Sequence, residues 1–258
     1  VAFKGLLVVV PHSGLLIPCE IPLNTLSRDF PRLMRNVDWY TNSLYDFRDT
    51  LGNSRLLFPY CSLILEANRH PAKLAESVPL KDTFGEPIYQ TGLEPDDKLR
   101  QSLSNKYLTW FHQAISTEIT HGKTFMLDGH STVTAQGVAD NQIELMNFQN
   151  SSLNEEPTYF CPDVLIETYA NELSKKLSWV KVTLNESRYD NVYGHVCGKH
   201  SVNAMKRVGN RVPAILQETN QKLYLNTDRT PNIEALETLR RAFAEALCKM
   251  AQKLPVSN

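Results

Sequence analysis

The chain has 258 residues, 42% of them hydrophobic and 21% charged. That length supports a single α/β domain with a sizeable core, and the balance is that of a globular protein. The net charge is −1 with no long basic run, so electrostatics offers no case for nucleic acid or an anionic membrane as partner.

Five cysteines stand at positions 19, 61, 161, 197 and 248. The count is odd, the spacing is wide and no CxxC pair occurs, so neither a disulfide framework nor a cysteine zinc site is expected. A reducing cytoplasm is the expected setting. The opening "VAFKGLLVVVPHSG" lacks a charged n-region and reads as a first core strand rather than a signal peptide. No apolar run is long enough to cross a bilayer.

In chain order, "GLLVVVP" is a near-continuous apolar run bounded by Gly and Pro, the pattern of a strand buried on both faces. Val37, Tyr40, Leu44 and Phe47 recur at helical spacing and predict a helix over 35–51. "RLLFPYCSLILEANRHP" reads as two short strands split at Pro59, and "KDTFGEPIYQTGLEPDD" as loop. A helix is expected from Asp96 to His121 on a stripe of Leu99, Leu103, Tyr107, Trp110 and Phe111. "FMLDGHS" is a strand, and residues 137–157 are too irregular to assign. Residues 162–177 predict a helix with Pro162 near its start. "WVKVTLN" alternates as a strand does, residues 185–201 read as a polar loop, and a short helix is expected near 200–208. "VPAILQETN" is a further strand, and a last helix spans Pro231 to Lys253. No repeat or linker divides residues 1–258, and strands alternating with helices predict one mixed sheet with helices on both faces.

Sites in such sheets gather at the carboxyl ends of strands. Four expected strand ends carry polar clusters: Pro11–Gly14, Glu66–Arg69, Asp128–Ser131 and Gln217–Asn220. His12 and His130 are either zinc ligands or ordinary strand-end histidines; a catalytic zinc needs about three protein ligands and an open position. Asp128 lies two residues before His130, on the same side of the strand, where a carboxylate can orient a ligating imidazole. Ser131 lacks the second glycine of a G-x-S-x-G elbow, so it is expected to position its neighbour rather than to act as a nucleophile. Glu218, late in an apolar strand, is a candidate general base if burial raises its pKa, and otherwise a solvated or paired strand-end acid. Arg69 could grip a carboxylate bidentately or serve a structural ion pair. His195 is a candidate substrate-loop residue.

In order and spacing, "VVVPHSGLLIP", "NVDWYTNSLYDF", "LILEANRHP", "FMLDGHST", "NESRYDNVYGHV" and "AILQETNQKLYLN" resemble the N-formylglutamate amidohydrolase family. That family is similar to zinc carboxypeptidases and aspartoacylase. The resemblance implies a three-layer α/β/α fold with a mixed central sheet (zinc-carboxypeptidase-like, phosphorylase/hydrolase-like) and one zinc ion per chain. It implies His12 and His130 as ligands with a carboxylate, Asp38 or alternatively Glu20, as the third. Asn68 and Arg69 resemble the pair that holds the substrate carboxylate, and Glu218 matches the general base. Two departures stand out: Glu66 where an Asp is common, and a loop bearing Arg188 and His195 that lacks the usual Gly-Gly pair. That loop is expected to contact the substrate. The implied reaction is hydrolysis of N-formyl-L-glutamate to formate and L-glutamate, natural in histidine catabolism. The alternatives are a zinc peptidase or deacylase acting on another carboxylate-bearing amide, and a small-ligand binding protein on the same scaffold.

Overall fold

The computed structural model describes residues 2–134, 139–149, 158–186, 195–201 and 212–254. Among the described residues the strands are β1 Leu6–Val10, β2 Ser54–Leu57, β3 Phe125–Thr132, β4 Gln142–Met146, β5 Phe148–Gln149, β6 Thr158–Tyr159, β7 Lys181–Leu184 and β8 Ala214–Asn220. Six of them make one sheet in the order β2-β1-β3-β8-β4-β7, and β5 and β6 form a separate ribbon. The β2-β1-β3-β8 run is parallel, β8 meets β4 antiparallel, and β4 pairs in parallel with β7. The mixed sheet expected from the sequence is therefore present.

The helices are α1 Phe30–Leu33, α2 Thr41–Leu44, α3 Arg48–Leu51, α4 Leu74–Ser77, α5 Asp97–Leu103, α6 Thr109–Thr120, α7 Asp163–Lys176, α8 His195–His200 and α9 Ile233–Ala251. Strand residues alternate between two apolar clusters. Leu6, Val8, Phe125, Leu127, Ile143 and Ile215 pack with α7 and α9. Leu7, Val9, Met126, Ala214 and Leu216 pack with α5, α6 and the loops between β1 and α5. This two-sided burial makes the three layers and explains why β1 reads as an unbroken apolar run.

Four local expectations need correction. The helix over 35–51 is interrupted: Tyr40 adopts φ 58°, in the left-handed region, and a 3-10 turn at Met34–Asn36 and the short turns α2 and α3 are what remains helical. The apolar spacing was real, since Val37, Leu44 and Phe47 are buried, but the break turns Asp38 toward the sheet. The second strand after Pro59 is absent. Ile64 and Leu65 N–H groups bond back to the Cys61 carbonyl in turns, and only isolated bridges join Tyr60 and Cys61 to the 14–16 segment. Between α5 and α6 a π-turn spans Ser104–Leu108. Its extra residue rotates the following face, so Trp110 is 59% exposed while Leu108 and His112 are buried. β4 lies in the irregular stretch 137–157: "QIELM" alternates a polar Gln142 and Glu144 with apolar neighbours, yet all five residues are buried. The described end of the 185–201 loop is the short helix α8; the helix expected near 200–208 and Arg188 fall largely outside the described residues.

Candidate active site

Side-chain parity puts the chemistry on one face. Met126 and Leu216 belong to the α6-side cluster, and every second residue shares a face. Asp128 and His130 on β3, and Glu218 on β8, therefore emerge on that side at the strands' carboxyl ends. The register sets His130 beside Glu218, and Glu218 beside Glu144 of β4. His12 follows β1, the neighbour of β3 on its other side.

The His12 and His130 rings meet edge to face with centroids 4.7 Å apart. Their outer nitrogens are held by carboxylates: His12 Nε2 lies 2.5 Å from Glu66 Oε1, and His130 Nε2 lies 2.9 Å from Asp128 Oδ1. Each Nε2–H donates to its acid, so the Nδ1 atoms are the ones turned toward each other and toward Asp38. The two Nδ1 atoms face each other at 3.2 Å, and Asp38 Oδ2 lies 3.4 Å from His12 Nδ1 and 3.7 Å from His130 Nδ1. Tetrahedral zinc with ligands at 2.0–2.1 Å has donor–donor edges of about 3.3–3.4 Å. His12, Asp38 and His130 form a group with suitably convergent donor atoms, so their chemistry and spacing fit such an ion. Glu20, the alternative third ligand, instead accepts from Lys106 Nζ at 2.7 Å and from the Tyr107 hydroxyl. The geometry favours Asp38 over Glu20.

The carboxylates are held in their charged forms by what surrounds them. Burial would raise Asp38, but hydrogen bonds from His12 and His130 pull it well below the usual range. Burial likewise opposes ionisation of Glu66, yet the His12 charge and hydrogen bond bring it down to about 2. Burial would lower His12, and Glu66 and Asp38 together outweigh it, lifting the imidazole to about 9. A histidine pair this basic, with facing ring nitrogens, is a site that stabilises positive charge. Glu218 is the opposite case: burial dominates and pushes it up to about 8. Its Oε2 is shielded from solvent and has no hydrogen-bond partner among the described residues, the kind of orphaned polar atom expected where a reactant or ion belongs.

Ser131 is engaged through both its backbone and its side chain. Its backbone N–H donates to Asp38 Oδ2 at 3.0 Å, and its Oγ accepts from Gln221 Nε2 at 3.1 Å. Asn68 is 2% exposed and its side chain is engaged internally. Oδ1 accepts from the Val196 N–H at 2.9 Å, which turns Nδ2 toward His130 Nε2 at 3.1 Å. Asn68 thus bonds α8 and lies beside the His130 ring, whose Nε2–H is already given to Asp128, a placement the sequence did not suggest. Arg69 is half-buried, and its Nη1 donates to the Asn68 carbonyl at 3.1 Å. His195 is buried, and its ring packs against His112 and His70 with centroids 4.7 and 4.8 Å away. Glu66 and Gln221 were missed as site residues; each sits beside a cluster that was recognised, but their partners lie far away in sequence.

The fold is shared with solved structures. An N-formylglutamate amidohydrolase from Ralstonia eutropha JMP134 aligns with a TM-score of 0.73 at 17% identity, covering 98% of this chain and 95% of that one. A protein from Agrobacterium tumefaciens aligns at 0.67 and 16% identity, covering 97% and 92%. These likenesses define the class, a three-layer α/β/α protein with a mixed sheet. The chain belongs to the N-formylglutamate amidohydrolase family, whose sequence model matches residues 4–225. It is also 25% identical over 142 residues to an N-formylglutamate deformylase from Pseudomonas aeruginosa, a match that spans 49% of this chain and 51% of that relative's length. Among the described residues no helix is long and apolar enough to cross a membrane.

Proposed function

We propose that the protein is a zinc-dependent amidohydrolase that cleaves N-formyl-L-glutamate, or a close N-acyl amino acid, to the free acid and amine. The observation that carries the reading is the His12–Asp38–His130 donor set, with both imidazoles anchored from behind, in register with a half-buried Glu218 whose solvent-shielded Oε2 is unpartnered among the described residues. Family membership supports the choice of substrate.

His12, Asp38 and His130 would hold the ion. Zinc at such a site polarises a carbonyl and makes a water acidic near neutral pH. Glu218, raised by burial, accepts the proton from the attacking water and returns it to the departing amine nitrogen. Arg69 receives the substrate carboxylate through paired N–H donors, with His195 at the start of α8 and Arg188, outside the described residues, as the further candidates. Asp128 and Glu66 keep the two imidazoles oriented and electron-rich, and Asn68 accepts from the Arg69 guanidinium and ties down α8 beside them.

The test is elemental analysis of wild type and His130→Ala together with formate release from N-formyl-L-glutamate. About one zinc per chain in the wild type, lost in the variant along with formate release, is the expected result. Full hydrolysis by metal-free wild-type protein would sink the zinc mechanism, and zinc without hydrolysis of any N-acyl amino acid would sink the substrate.

A further inference from the structure

Tyr45 lies on the opposite face of the sheet from the site, fully buried, in the cluster packed on α7 and α9. Its ring lies against Phe243 of α9, with centroids 6.0 Å apart, and against Phe47. An apolar ring would satisfy that packing; the hydroxyl is what needs explaining. It lies 2.7 Å from the His130 carbonyl oxygen and 2.9 Å from Thr219 Oγ1. Further out, Gln217 Nε2 donates to Thr219 Oγ1 at 3.2 Å and the Tyr169 hydroxyl donates to Gln217 Oε1 at 2.7 Å. The Tyr45 hydroxyl has one proton, and the His130 carbonyl at 2.7 Å is a closer acceptor than the Gln217 carbonyl at 3.3 Å, which leaves Thr219 to donate to Tyr45. Tyr169 donates to Gln217, Gln217 to Thr219, Thr219 to Tyr45, and Tyr45 to the His130 carbonyl.

The peptide unit that receives this chain is the one between His130 and Ser131. Its other polar end, the Ser131 N–H, donates to Asp38 Oδ2 at 3.0 Å. A donor on the carbonyl polarises the peptide and strengthens the bond its N–H makes. The same segment grips both ends of this peptide. The Thr41 hydroxyl donates to the Asp38 carbonyl at 3.0 Å, and the Tyr45 N–H bonds the Thr41 carbonyl at 3.0 Å. Gly129 completes the fit: a Cβ there would lie 2.7 Å from the Tyr45 ring, so only glycine lets the ring reach the strand.

We infer that Tyr45 is a positioning residue that clamps the His130–Ser131 peptide from the back of the sheet and thereby sets the spacing of His130 and Asp38 as a metal-binding pair. The inference rests on the zinc reading above. It also accounts for the Tyr at the end of "NSLY" and the Gly of "DGHS" with one contact.

The test compares Tyr45→Phe, which keeps the ring and removes the hydroxyl, with Tyr169→Phe, which removes a hydroxyl from the far end of the same chain. Zinc affinity is measured by competition with a chromophoric chelator, well below both melting temperatures. Tyr45→Phe is expected to weaken zinc binding by about 10–100-fold, the usual effect of removing support behind a ligand, while Tyr169→Phe lowers the melting temperature and leaves affinity within about twofold. A purely structural Tyr45 would lower stability alone, so unchanged affinity in Tyr45→Phe overturns the inference. Equal weakening by both variants also overturns it, because the effect would then belong to the core rather than to the clamp. If Tyr45→Phe does not fold, Thr219→Val removes the donor to Tyr45 in a side chain of the same shape and is expected to weaken zinc binding several-fold; no change would again overturn the clamp. A wild type that binds no zinc overturns the metal reading and the clamp with it, an outcome distinct from all of these.

Discussion

Glu218, as the proposed general base, would serve function against stability. Its neighbours across the strands are His130 and Glu144, and burial leaves it protonated up to about pH 8 in the absence of a cation. A general base must be ionised, so activity of the zinc-loaded enzyme should rise with pH along an acid limb that the zinc charge holds below that value. Glu218→Gln should keep zinc and lose about 10²–10⁴-fold in turnover; near-normal kcat in that variant would remove Glu218 from the mechanism. The same shift has a stability consequence. A folded-state pKa above the unfolded value means that the folded protein binds this proton more tightly, so the group's contribution is present at low pH and lost as pH rises through the folded pKa. In metal-free protein, Glu218→Gln should therefore melt higher than wild type at pH 8 by at least about 3 °C, the shift of roughly 1 kcal/mol in a domain of this size, with the gap closing near pH 4.5. An equal or lower melting temperature at pH 8 would show that the carboxylate is not held at a cost.

At the scale of elements, the site is assembled by short connections rather than by long helices. The break at Tyr40 lets the segment before α2 deliver Asp38 to the front of the sheet and the residue after α2, Tyr45, to the back. The turns after Cys61 carry Glu66 and Asn68 over the ends of β1 and β3, where His112 of α6 supports them by lying 3.0 Å from the Ala67 carbonyl through Nε2. Helix α8 is tied down at its start by Asn68, which takes the His195 N–H on its backbone carbonyl and the Val196 N–H on its side chain, and by Cys197, whose thiol lies 3.6 Å from Asp128 Oδ2. A helix of six residues has little stability of its own. Asn68→Ala should therefore accelerate hydrogen exchange at the Val196 amide by about tenfold or more, as one buried hydrogen bond is worth about 1–1.5 kcal/mol, with α9 amides unchanged. Unaltered protection at Val196 would show that α8 is held by its apolar packing instead.

For the molecule as a whole, the carboxylates and imidazoles gathered at one end of the sheet make the folded state depend on what neutralises them. Zinc that binds the folded chain and not the unfolded one stabilises by about 4 kcal/mol at a thousandfold excess over Kd. Stripping the metal with a chelator should lower the melting temperature by about 8–16 °C, since a domain of this size moves about 2–4 °C per kcal/mol, and restoring zinc should reverse the loss; a chelator-insensitive melting curve would contradict the metal site. The layers themselves were legible in the chain. The unbroken apolar run of β1, the strand before "DGHS", the periodic stripes of α7 and α9 and the polar clusters at strand ends follow from local periodicity, which every residue carries with it. The candidate ligands His12 and His130 were readable for the same reason, as histidines stranded after apolar runs. Pairings between distant segments were not readable. Nothing in "LEANR" says that Glu66 backs His12 while Asn68 holds α8, nothing in "NVDWY" separates Asp38 from Glu20 as the third donor, and nothing in "QIELM" says that β4 runs antiparallel beside Glu218. Those facts depend on strand order and on where loops return, so they exist only once the sheet has closed and buried polar groups have been forced to find partners.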